Sequence, residues 1–143
     1  MSQKYRRAGV YMSNFEKFEY WLELCDDDLE TAIWLLKGSR LLHCGYFCHQ
    51  IAEKAFKAAI SKNTGEIQPK IHDLPKLAAN GNLYDKLSKQ HLNLLDKLKS
   101  MQIEARYPEY KEAISQTLNL VYYKELFDET EDLLCWIKQQ LEK

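Results

Sequence analysis

Between Gly45 and Ile60 the chain reads GYFCHQIAEKAFKAAI, a helical segment whose polar chemistry is confined to one narrow stripe. At about 100° per residue, Tyr46, His49, Gln50, Glu53, Lys54 and Lys57 fall together, while Cys44, Phe47, Cys48, Ile51, Ala52, Ala55, Phe56, Ala58 and Ala59 cover the rest. A helix apolar over most of its girth must be wrapped by other helices, so it belongs at the centre of its domain. The polar seam it keeps marks a place for a functional cleft or a partner surface.

The remaining periodicity is also helical. Phe15, Phe18, Leu22, Cys25, Leu29, Ala32, Ile33 and Leu36 recur at three- and four-residue steps, which predicts a long first helix capped by Asn14 and closed near Lys37-Gly38. Ser39 is then expected to cap the central helix, which Asn63-Thr64-Gly65 breaks. Asp73 can cap a short helix to about Asn80, with Pro75 tolerated in its first turn and Gly81-Asn82 as its stop. From about Leu83, the positions Leu87, His91, Leu94, Leu98 and Met101 predict a further helix, reaching roughly Ile103 or Glu104 because Pro108 disfavours helical geometry at Tyr107. Leu126, Thr130, Leu133, Ile137 and Leu141 write the last helix. Nothing reads as a strand, and residues 1–13, which lack periodicity, are expected to form a flexible arm ahead of a helical domain over 14–143.

A chain of 143 residues, 45% of them hydrophobic, supports one well-buried core and is too short for two ordinary domains. Twenty basic against 21 acidic residues leave a net charge of -1, so no global field draws the protein to nucleic acid or to an anionic membrane. Any RNA site must be a local patch. The opening MSQKYRRAGVYMSN has no apolar run of signal-peptide length, and no stretch approaches the roughly 18 apolar residues of a membrane span. A cytoplasmic location is expected. The four cysteines, Cys25, Cys44, Cys48 and Cys135, fall within helical segments and read as buried thiols.

Few constellations carry chemistry. His49 and Glu53 lie one turn apart on the seam and Lys57 one turn further, a base and acid pair or a cation site for phosphate; Glu53 and Lys57 also have the spacing of a stabilising helix ion pair. Cys44, Cys48, His43 and His49 do not make a zinc site, because the cysteines point to the apolar side and no second ligand pair exists. Arg106, where a helix ends against Tyr107-Pro108, can offer a guanidinium fork to phosphate or hold the turn by an ion pair. The acidic runs Asp26-Asp27-Asp28 and Asp128 to Asp132 lie on amphipathic helices and read as solvated faces. No Gly-rich phosphate loop or recognisable nucleophile motif is present, and no metal or cofactor is implied.

Three pieces in order, the central His49-Gln50 with Glu53-Lys54-Ala55 and Lys57-Ala58, the Ile71-His72-Asp73-Leu74 loop followed by Leu77 and Gly81, and Ala105-Arg106-Tyr107-Pro108, resemble the HEPN (higher eukaryote and prokaryote nucleotide-binding) domain of prokaryotes. The resemblance spans roughly residues 14 to 140. It implies an all-α, up-and-down bundle of four to five helices. It also implies a homodimer whose central seam and Arg-bearing turn face a shared cleft, often beside a small nucleotidyltransferase in a toxin and antitoxin pair. On this resemblance the ligand-binding set is His49, Glu53, Lys57, His72, Arg106 and Tyr107, with Arg106 and His49 the catalytic candidates. Active HEPN ribonucleases carry a His roughly four to six residues after the Arg. Here no His follows Arg106, while Arg40 has His43 too close and His49 too distant.

The reading favoured is therefore a nucleotide- or RNA-binding module, non-catalytic or weakly catalytic. One alternative is a metal-independent endoribonuclease toxin in which His49 or His72 substitutes for the missing His. The other is a structural adaptor whose seam sets partner register.

Overall fold

The computed structural model describes residues 6–7, 10–104 and 119–142. Among the described residues five α-helices make the body: α1 (Asn14–Lys37), α2 (Leu41–Asn63), α3 (Leu74–Asn80), α4 (Lys89–Glu104) and α5 (Leu120–Leu141). A single 3-10 turn at Tyr84–Lys86 stands between α3 and α4, where sequence periodicity predicted helix from about Leu83. Strands were not expected, yet Arg6–Arg7 (β1) and Val10–Tyr11 (β2) form a two-residue antiparallel pair, with Arg6 opposite Tyr11 and Arg7 opposite Val10. Met12, just beyond, is buried in the core.

Local chemistry sets the helix ends. The cap of α1 is Ser13 rather than Asn14: its hydroxyl accepts from the Glu16 amide while the Glu16 carboxylate accepts from the Ser13 amide, a reciprocal box. Such a cap stabilises by about 1 kcal/mol. Ser39 does not cap α2. It takes a left-handed φ of 57° in the turn, its amide bonding to the Leu36 carbonyl and that of Arg40 to the Leu35 carbonyl, so it closes α1 and Arg40 precedes α2 without a side-chain cap. Asp73 does cap α3, accepting from the Lys76 amide at 3.1 Å. Ser88 and His91 trade side-chain and amide bonds at the start of α4, and Asn119 caps α5.

Cross-contacts give the helix directions. Asp28 meets Lys54 and Trp21 meets Lys57, so α1 and α2 run antiparallel through a three-residue turn. Cys48 bonds to Thr130, and the Lys62 ammonium donates to the Leu141 carbonyl, so α5 runs parallel to α2. The fold is an all-α bundle in which α2 is the hub: Cys44, Cys48, Ile51, Ala52, Ala55, Phe56, Ala58, Ala59 and Ile60 are all buried. Each large apolar side chain buried here, such as Ile51, Phe56 and Ile60, contributes about 1.5 to 3 kcal/mol. Gly45 sits where α4 and α5 reach it; a Cβ there would stand 2.6 Å from Met101 Sδ and 3.2 Å from Tyr123 Cε1.

The acidic runs lie on solvated faces, as expected, and some of their carboxylates also reach lysines on other helices. Asp26 meets Lys138 of α5 at 2.7 Å, Asp28 meets Lys54 of α2 at 2.5 Å and Glu129 meets Lys97 of α4 at 3.3 Å, so the carboxylates tie helices together along their wet edges. Cys135 is likewise exposed, whereas the other three cysteines are buried as expected.

Candidate functional site

The seam of α2 divides in two. Lys54 turns to α1, while Glu53 faces the segment that leads into α3. The short helix that follows it is packed closely on α2. Gly81, ending α3, packs so closely on α2 that a Cβ there would lie 2.9 Å from Ala59 Cβ and 3.2 Å from the Ile60 amide nitrogen, and Leu74 and Leu77 are buried. With Asp73 capping α3, the residue before it, His72, is fixed beside the seam.

Glu53 is the centre of the cluster. Its side chain is 5% exposed, with Oε1 2.7 Å from His72 Nδ1, Oε2 3.1 Å from Lys57 Nζ, and Oε1 3.8 Å from His49 Nδ1. Burial pushes the Glu53 carboxyl up, but the hydrogen bond from His72 and the Lys57 ammonium together outweigh it and hold the group below its ordinary range. Lys57 is itself placed by a residue that sequence reasoning passed over: its ammonium lies 5.5 Å from the ring centroid of Trp21, which is buried on α1.

In front of the cluster opens a cavity of about 420 Å³, bounded by His49 and His72 on one side and by Leu95, Asp96, Lys99 and Gln102 of α4 on the other. That volume falls among those of small-molecule pockets, which run from roughly 300 to 1,000 Å³. Leu74 and Pro75 add an apolar rim. His49 is 1% exposed at its side chain and His72 50%, so one histidine lies at the base and the other at the mouth.

Of the residues singled out from sequence, the structure brings together His49, Glu53, Lys57 and His72. Lys57 lies behind Glu53 and does not line the cavity. Arg106 and Tyr107 lie outside the described residues. The α4 contribution was missed. Asp96, Lys99 and Gln102 recur at three-residue steps, a visible polar row, but only packing shows that it faces α2.

Cys44 and Cys48 are engaged with each other. Their mutual hydrogen bond, then burial, pushes the Cys48 thiol well up, and burial, reinforced by Asp28, does the same to Cys25. Among the described residues no group of three His, Cys, Asp or Glu side chains could hold a metal ion.

The all-α bundle fits a known family, whose sequence model, the HEPN domain, matches residues 18–140. The chain belongs to the HEPN family. No curated protein and no solved structure matches it. HEPN domains are in general nucleotide- or RNA-related, and in this HEPN domain the contact that joins the first two pieces of the resemblance is the one between Glu53 and His72. No described helix is long and apolar enough to cross a membrane.

Proposed function

We propose that this HEPN domain is a nucleotide- or RNA-binding module, cleaving RNA weakly or not at all. It works in the cytoplasm as a homodimer, beside a small nucleotidyltransferase with which it forms a toxin and antitoxin pair. The cavity in front of Glu53 carries the reading: it combines an apolar wall of Leu74, Pro75 and Leu95, suited to a base, with Lys99 for a phosphate and two histidines. The family resemblance adds Arg106 and Tyr107 as candidate ligand contacts. Titration of the protein with AMP, UMP and a short RNA at two salt concentrations tests it, with binding that weakens at high salt as the supporting result. Absence of binding to all three would overturn it.

The endoribonuclease reading rests on a separate observation, that two histidines, His49 and His72, border one cavity. Two imidazoles can share acid and base roles in metal-independent cleavage. Robust cleavage of the RNA in the same experiment, lost in both His49→Ala and His72→Ala, would establish that reading instead.

A further inference from the structure

Both oxygens of the Glu53 carboxylate are spoken for. Oε2 faces Lys57 Nζ at 3.1 Å, and Lys57 lies in turn over the Trp21 ring at 5.5 Å, so that oxygen is occupied and Oε1 is left to a second partner. That partner is His72 Nδ1, 2.7 Å from Oε1. An ionised carboxylate only accepts hydrogen bonds, so the nitrogen facing it must carry the proton. In a neutral imidazole the other nitrogen, Nε2, then holds a lone pair. The depressed titration of Glu53 agrees with an ionised group here.

The ring that receives this treatment borders the cavity and is half exposed, and its backbone is set by the Asp73 cap and the buried Leu74. The other polar groups of the cavity wall include Asp73 and Asp96, whose carboxylates accept, Gln102, which can accept or donate, and Lys99, which alone is a fixed cation. A ligand rich in hydroxyl and N–H donors at one end and anionic at the other complements that wall. We propose that Glu53 is a positioning residue that holds His72 as the Nδ1–H tautomer and turns Nε2 into the cavity as acceptor for a sugar hydroxyl or base N–H of a nucleotide. Lys57 acts one step behind, by fixing which carboxylate oxygen is left for His72. The identity of the ligand rests on the function proposed above; the tautomer does not.

The chemistry of Lys57 makes a sharp test available. Its ammonium can only donate, so in Glu53→Gln the amide oxygen must face Lys57 and the amide NH₂ must face Nδ1, which can then only accept. The proton of His72 moves to Nε2, and the cavity gains a donor where it had an acceptor. Adding Lys57→Met to Glu53→Gln frees the amide to turn and restores the first arrangement.

Two-bond proton–nitrogen NMR spectra of the imidazole rings, with AMP and UMP titrations on the same samples, read both halves. The expected result is the Nδ1–H form of His72 in the wild type, the Nε2–H form in Glu53→Gln, and a return in the double variant. Binding of both nucleotides should weaken by about tenfold in His72→Ala and in Glu53→Gln. A wild-type ring in the Nε2–H form overturns the proposal whatever the nucleotides do, and needs no variant to fold. The Nδ1–H form with nucleotide affinity unchanged in His72→Ala overturns the ligand contact. Failure of the wild type to bind either nucleotide rejects the ligand contact together with nucleotide binding, and the ring spectra still decide the positioning role.

Discussion

His72 Nδ1 stands 2.7 Å from Oε1 of Glu53, a residue 19 positions earlier in the chain and almost wholly enclosed. The contact spans the polar connection between α2 and α3, and it places an exposed imidazole on a buried charge. Removing the carboxylate's partners would leave that charge uncompensated, which costs more than the pair itself contributes. The cluster therefore influences stability as well as ligand chemistry, and the two effects can be measured apart.

Acid titration isolates the stability effect. Because the folded carboxyl of Glu53 titrates below its ordinary value of 4.5, its contribution is complete above that pH and is lost as pH falls through the lower folded value. The urea midpoint of the wild type should accordingly fall more steeply below about pH 4.5 than that of Glu53→Gln. Parallel midpoint curves for the two proteins would show that Glu53 is not held in its ionised form by folding.

Packing around α2 gives a second expectation. Ala55 is fully enclosed, and the Gly81 site leaves no room for a methyl group against Ala59 and the Ile60 backbone. Ala55→Leu and Gly81→Ala should each lower stability by about 1 to 3 kcal/mol in urea titrations. Gly81→Ala should also lower nucleotide affinity, since it pushes α3 and the adjacent His72 away from the seam. An unchanged urea midpoint in either variant contradicts the packing described.

Thiol chemistry separates the cysteines. Cys25, Cys44 and Cys48 are buried, with the Cys25 and Cys48 thiols pushed up by their surroundings, while Cys135 is exposed. A thiol-reactive dye should label one equivalent of native protein quickly, and Cys135→Ser should abolish that phase. Fast labelling of two or more thiols without denaturant would mean that the bundle opens around α2 far more readily than its packing implies.

How much of this was legible beforehand follows from which interactions are local. The seam of α2, the Asp73 cap and the stop at Gly81 are written within a few residues, so period and turn chemistry suffice. The choice between Asn14 and Ser13 as a cap depends on which one meets Glu16 three residues on, a box present in the sequence and overlooked. The partners of Glu53 were only half legible. Lys57 lies one turn away on the same helix, but His72 reaches Glu53 only through tertiary packing, as do the Trp21 ring behind Lys57 and the α4 row of Asp96, Lys99 and Gln102 across the cavity. The lysine partners of the acidic runs were hidden for the same reason, since Asp26 and Asp28 find theirs on other helices.

Assembly is open to a simple mass measurement. Trp34 at 66% exposure and Val121 at 66% are large apolar side chains left on the surface, and a symmetric partner is the common way to cover such groups. Light scattering on a gel-filtration column should return about twice the 16.9 kDa chain mass at micromolar concentration. The monomer mass would count against the homodimer, and with it against a shared cleft.

Arg106 supplies the last expectation. It is followed by no histidine, and a positioned general acid or base contributes about 100- to 10,000-fold, so a site lacking that partner retains phosphate binding while losing most cleavage. Arg106→Ala should weaken RNA binding, and should flatten its salt dependence because one phosphate contact is removed. Cleavage by the wild type should stay close to the buffer rate in the presence of a chelator. Fast chelator-resistant cleavage that Arg106→Ala abolishes would instead mean that His49 or His72 reaches the scissile phosphate, and the protein would be a ribonuclease. Unchanged binding in Arg106→Ala would place the nucleotide contacts wholly on the cavity between α2 and α4, where Lys99 is the cation to change next.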